Sequence, residues 1–205
     1  MKRIWYGLIV VMLVMGLSIL PMSAHATAII DFGTGLLGNG GVLTWLGGNN
    51  SSGVDIPIGV LNVSGAPINN GIFPMVGVLN YNTIANTVSI YGSVPGLGLT
   101  AMTLMTGSFS SFITAYSANS YLNFNGEGPD TKARALLDTL GMSPFTPFAF
   151  YGFTLSGQPI PGAANTFVAI STDFKNTEVP EPASMLLLGS GLLGLAGYAR
   201  KRFKK

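Results

Sequence analysis

Long apolar runs occur at only two places in this 205-residue chain, residues 4–20 and 183–199, and both lie near its ends. Between them glycine, asparagine, serine and threonine dominate, and the apolar residues come in short groups rather than helical stripes. A middle built this way must bury itself as strands, because each group is long enough for one strand and too short for a core helix. Strands are expected over residues 56–63, 74–81, 87–94, 99–105, 107–116, 121–125, 147–155 and 166–174, with a strand-like start at 28–32. Pro57 places the first of these at an edge or a strand start. The arms 74–81 and 87–94 flank Asn82 and Asn86, a hairpin signature, and Val88 and Ile90 alternate with Ser89 and Tyr91 so that one face meets a core. Six to nine short strands between Gly, Pro and Asn clusters make the fold class mainly β, an antiparallel sandwich or open barrel.

One stretch departs from this pattern. Over residues 130–141 Asp130 is placed to cap a helix and Gly141 to end it, while Ala133, Leu136, Leu137 and Leu140 share one face. A single short amphipathic helix is expected there.

The two end segments are of a different kind. Met1-Lys2-Arg3 is basic, residues 4–20 are nearly unbroken apolar, and Pro21 precedes small residues at Ala24 and Ala26. This order describes a secretory signal peptide over residues 1–26, cut after Ala26. Residues 183–199 are apolar or small throughout; as a helix of about 17 residues they reach roughly 25 Å, near the lower limit for a transmembrane span. Arg200, Lys201, Arg202, Lys204 and Lys205 follow at once and hold that end on the cytoplasmic side by the positive-inside rule. The exported body is then residues 27–178, facing outward between the two.

Charge and chemistry narrow the function classes. The formal net charge is +2, yet from Thr27 to Glu181 only Lys132, Arg134 and Lys175 oppose all 8 acidic residues. An acidic body lacks the electrostatic footprint of a nucleic-acid binder. Cysteine is absent and the single histidine, His25, lies in the signal peptide. That removes disulfides, Ser-His-Asp and Cys-His catalysis, and imidazole or thiolate metal sites from the mature body. No D-x-D-x-D run offers a calcium loop, so no metal, no cofactor and no enzymatic activity are expected. Two G-x-G-x-x-G spellings, at 33–38 and 189–194, lack the βαβ surroundings of a dinucleotide site. The remaining catalytic option is a carboxylate pair for glycoside hydrolysis, Glu127 with Asp130 or Asp138. A binding alternative is a carbohydrate module in which Trp45, Tyr81, Tyr91, Tyr116 and Tyr121 stack on sugar rings.

The last 27 residues, 179–205, carry the most specific signal. Val179-Pro180-Glu181-Pro182 comes first, then the apolar segment with its glycines, then Arg200-Lys201-Arg202. In this order they closely resemble the PEP-CTERM sorting signal of Gram-negative bacteria that make exopolysaccharide. The resemblance implies recognition by exosortase, a membrane-embedded cysteine transpeptidase that cleaves near the motif and hands the protein to the cell surface or extracellular matrix. Val179, Pro180, Glu181 and Pro182 are by this resemblance the recognition element. Their chemistry suits it: two prolines around Glu181 forbid a helix and remove two backbone donors, leaving an extended strip just outside the membrane. The function expected is that of a non-catalytic surface or matrix protein, with exosortase, the membrane and exopolysaccharide or biofilm material as its partners.

Overall fold

The computed structural model describes residues 27–35, 40–118, 120–178 and Gly191. The expected signal peptide with Ala24 and Ala26, the motif Val179 to Pro182, the expected span 183–199 (Gly191 apart) and the basic cluster Arg200, Lys201, Arg202, Lys204 and Lys205 lie outside the described residues. Among the described residues no helix is long and apolar enough to cross a membrane.

Among the described residues ten strands form one sheet. They are β1 (Ile29–Gly33), β2 (Gly40–Gly47), β3 (Asn50–Ser64), β4 (Gly71–Asn82), β5 (Thr87–Val94), β6 (Leu99–Gly107), β7 (Ser111–Ser117), β8 (Tyr121–Lys132), β9 (Phe148–Pro159) and β10 (Thr166–Glu178). Every pairing is antiparallel. Neighbours in sequence pair from β2 through β6, β6 pairs β8, and β8, β9 and β10 follow in turn. The last strand then returns to the beginning, with Val168 of β10 opposite Val42 of β2.

Two strand positions are shared. β1 and β2 both lie between β10 and β3: Phe32 faces Phe174 and Leu61, and Val42 faces Val168 and Val54 farther along. β6 and β7 both run along β8, meeting it at Thr106↔Thr131 and Thr114↔Phe124. The order is therefore β1/β2, β3, β4, β5, β6/β7, β8, β9, β10, and back to β1/β2: an up-and-down barrel of eight positions.

The expected sandwich or open barrel is corrected to this closed ring, in which the first and last strands satisfy each other's edges. Eight positions enclose just enough room for side chains. Phe32, Phe124, Phe150, Phe153, Phe167 and Phe174 fill it, each under 2 % exposed. Bulges in β9 and β10, where the register shifts between Lys175 and Asn176 and between Ala169 and Ser171, let Phe148, Phe150 and Phe153 all point inward. Outside, β8 presents Tyr121, Asn123, Asn125, Glu127, Pro129 and Thr131. On β8 the alternation, apolar inward and mostly polar outward, is the reverse of a strand that faces lipid.

Local expectations fare unevenly. The 74–81 and 87–94 hairpin is β4 and β5, and Val88 and Ile90 are core residues. Pro57 sits within β3 opposite Val78 of β4, at the interval where neither β1 nor β2 is paired with β3, although Gly40 of β2 packs against its ring, so the missing N–H interrupts no ladder. The expected strand 121–125 runs on to Lys132. Asp130 is therefore no helix cap: it points into the barrel, and α1 (Arg134–Thr139) starts after Ala133 without a side-chain cap. Gly126, Gly128 and Pro129 resemble loop residues because the segment 108–110 presses on β8. A Cβ on Gly128 would sit 2.0 Å from the Ser108 carbonyl oxygen. The helix otherwise matches expectation, with Leu136, Leu137 and Leu140 buried and Gly141 left-handed at φ 70°.

The meander gives the barrel two poles. Turns at 48–49, 83–86, 118–120 and 160–165 gather at one. The start of β1, the 65–70 loop, α1 and the end of β10 gather at the other.

Candidate functional site

Three places carry polar or aromatic groups that could do more than fold the chain: the turn pole, the polar cluster inside the opposite pole, and the tail. At the turn pole Trp45 of β2 lies flat on Tyr116 of β7, ring centroids 4.1 Å apart and planes 3° from parallel. The indole N–H donates to the Gly48 carbonyl (3.0 Å) and the Tyr116 hydroxyl to Asn165 Oδ1 (2.6 Å). Asn49 extends the seam. Its Nδ2 donates to the Phe112 carbonyl (2.8 Å) and its Oδ1 accepts the Thr114 N–H (2.6 Å), so a side-chain amide takes the place of a neighbouring strand along β7.

The expected aromatic contacts are thus split. Trp45 and Tyr116 come together, half-buried. Tyr81 is in the core at 3 % exposure, its hydroxyl donating to Ser51 Oγ (3.2 Å), and burial drives its ionisation far above the ordinary range. Tyr91 on β5 and Tyr121 on β8 point outward on separate strands. No single sheet face collects these rings. The one pair that does meet spends a stacking face of each ring on the other.

The carboxylate pair is not assembled. Glu127 faces outward and Asp130 inward from the same strand, because their odd spacing puts them on opposite faces of β8. Asp138 is on the exposed side of α1, paired with Arg134 at 3.5 Å. Glu127 and Asp130, on opposite faces of β8, cannot share a glycosidic bond, and the other expected partner of Glu127, Asp138, is engaged with Arg134 on α1.

A group not anticipated from sequence occupies the interior at the other pole. Asp130 and Lys132 are two apart on β8, so both point inward, and Asn176 of β10 meets them across β9. Lys132 Nζ donates to Asp130 Oδ1 and, at 2.7 Å, to Asn176 Oδ1. The Asn176 amide nitrogen donates to the carbonyls of Ile30 (3.0 Å) and Phe174 (3.4 Å). The Lys132 nitrogen also lies 4.9 Å from the centre of the Phe148 ring. Burial lowers the Lys132 ammonium to about 8, opposed by the Asp130 charge, and burial raises the Asp130 carboxyl, opposed by Lys132. Asp130 Oδ2 is buried without a hydrogen-bond partner among the described residues. The inward alternation 122, 124, 126, 128, 130, 132 could have revealed Lys132, had the glycines not disguised the strand.

No curated protein and no solved structure matches the chain. A family model does match its end, over residues 178–202, and this stretch contains all of Val179, Pro180, Glu181 and Pro182 and reaches Arg200, Lys201 and Arg202. The first matched residue, Glu178, is also the last residue of β10, so the barrel wall leads directly into the matched segment. Such a motif implies export and sorting by exosortase. From the last residue of its closing strand, over residues 178–202, this chain carries the PEP-CTERM protein-sorting motif.

Proposed function

We propose that the chain is an exosortase substrate delivered to the surface or extracellular matrix of a Gram-negative cell, where its barrel acts without catalysis in association with exopolysaccharide. The observation that carries this reading is the direct junction between a closed β domain and the sorting motif at Glu178. The signal peptide is cut after Ala26, the apolar segment 183–199 holds the tail in the inner membrane, and the basic cluster from Arg200 to Lys205 fixes its orientation. Val179 to Pro182 are then the stretch that the processing enzyme recognises. A mature body without cysteine or histidine supports a structural role.

The test compares wild type with a variant carrying Pro180→Ala, Glu181→Ala and Pro182→Ala in a host that has its exosortase. Wild type is expected to be shortened and the variant to insert in the membrane but keep its full length. Equal processing of both, or no shortening of the wild type, would reduce the tail to an anchor. A carbohydrate-binding role is the second reading, favoured by the half-buried Trp45–Tyr116 pair with Asn49 and Asn165 around it. Trp45→Ala should then lower retention on the cognate polysaccharide, while Tyr91→Ala should leave it unchanged.

A further inference from the structure

We infer that Lys132 and Asn176 become joined by an intramolecular isopeptide bond, Nζ to Cγ, formed with loss of ammonia and with the Asp130 carboxyl as proton carrier.

The geometry carries the inference. Lys132, Asn176 and Asp130 are 4 %, 0 % and 9 % exposed, and each comes from a strand whose position the ring fixes. Nζ touches Asn176 Oδ1 at 2.7 Å, so the carboxamide carbon is one bond beyond the contacted oxygen and the two reacting groups are held together before any reaction. Two backbone carbonyls, Ile30 and Phe174, hold the amide plane through Nδ2. Phe148 walls the amine from water. A lysine and a carboxylate left as a buried ion pair here would be poorly repaid, since Asp130 Oδ2 has no partner among the described residues. As a reaction centre the same group is well furnished.

The chemistry balances without an oxidant or cofactor. One Nζ proton passes to Asp130, which burial already favours in its neutral form. Burial also brings the amine within reach of neutrality at physiological pH. The free pair on Nζ attacks Cγ and gives a tetrahedral carbon. A second Nζ proton moves to Nδ2 by way of Asp130, the Cγ–Nδ2 bond breaks with its electrons on nitrogen, and ammonium leaves with the two protons that lysine gave up. Asp130 ends as it began, and the amide N–H that remains on Nζ stays beside its carboxylate. The product ties β8 to β10 across β9 and joins two residues 44 apart in sequence, the second of them two residues before the sorting motif begins. In a chain with no cysteine it supplies the covalent tie that a disulfide cannot.

The experiment is tandem mass spectrometry on proteolytic fragments of the purified full chain. The expected result is a branched peptide containing both Lys132 and Asn176, lighter than its two parts by one ammonia. Asn39-Gly40, Asn70-Gly71 and Asn125-Gly126 can also lose ammonia by cyclising, so the branch, not the intact mass, decides. Separate linear peptides for Lys132 and Asn176 in folded wild-type protein would overturn the inference. Asp130→Asn, folded by circular dichroism, should yield unlinked peptides, and full linkage in that variant would remove Asp130 from the mechanism. The wild-type result stands alone if that variant does not fold.

Discussion

Gly128→Ala tests whether the press of the 108–110 segment on β8 is what makes this glycine-rich stretch a strand. The added Cβ would meet Ser108 O at 2.0 Å, Ser110 N at 2.9 Å and Ser108 C at 3.0 Å, all backbone atoms that cannot rotate away. Restoring a contact of about 3 Å moves the segment by roughly 1 Å, which is more than a packed interior absorbs. Two hydrogen bonds stretch with it, Ser110 N–H to the Glu127 carbonyl (2.8 Å) and Ser108 N–H to the Pro129 carbonyl (3.2 Å). Each is worth about 1 kcal/mol net.

Phe109 lies between them and packs edge-on against Phe112, Phe124 and Phe150. Partial withdrawal of its ring adds roughly half of a Phe→Ala truncation, about 2 kcal/mol. The sum is about 4 kcal/mol, a large share of a domain's usual 5–15 kcal/mol or so. Urea unfolding followed by circular dichroism should show the midpoint falling by on the order of 2 M. Gly152→Ala is the control, because its Cβ would meet only Lys175 Cβ at 3.4 Å, an ordinary contact. A Gly128→Ala midpoint within about 0.3 M of wild type, or an equal loss in both variants, would refute the reasoning.

Other outcomes follow from the same geometry. Asn176→Ala, which cannot form the isopeptide bond, should lose the loop-closure contribution of a tie between residues 44 apart in sequence, about 4 kcal/mol, read as a lower urea midpoint. In that unlinked variant Lys132 stays titratable: a folded pKa of about 8 against 10.5 unfolded means the unfolded chain binds more protons in this window, so stability should rise from about pH 8 to 10.5. Asp130, raised above 3.8, works the other way and should cost stability as pH climbs from there through its folded value. Thermal melts across pH would show both slopes. Tyr116→Ala in a chain starting at Thr27, where Trp45 is the one tryptophan, should shift its emission to the red and cost about 1–2 kcal/mol, since the stacked face is bared to water.

The strands were legible where alternation was unbroken, as in Val88-Ser89-Ile90-Tyr91, and the tail was legible because a linear motif needs no fold to be read. Ring closure was not, because the pairing of Val168 with Val42 and of Phe174 with Phe32 joins the two ends of the domain, and local patterns hold no record of it. The second half of β8 was missed for a related reason. Gly126, Gly128 and Pro129 are turn formers by composition, yet Gly128 answers a backbone that crosses close by and Gly126 the Phe109 ring, both tertiary causes. Misreading that half turned Asp130 into a helix cap and left Lys132 unremarked. Asn176, one polar residue among several in Thr172 to Glu178, acquires its meaning only from the strand two positions away.

The meander has a consequence for what a cell surface would display. β1 and β10 are neighbours, Ile29 opposite Thr177, so the chain enters and leaves through one pole like two leads through a single gland. Circular permutation should therefore be easy, with a short linker bridging those ends and a new opening cut elsewhere. Under the proposed display on a cell surface, the other pole, a set of short turns that each hold an asparagine, would be the part farthest from the membrane. Ile84, at one of these tips, is 67 % exposed. An epitope inserted between Ile84 and Ala85 should be bound by antibody on intact cells, whereas the same epitope placed after Asn69, near the leads, should be shaded by the envelope beneath it.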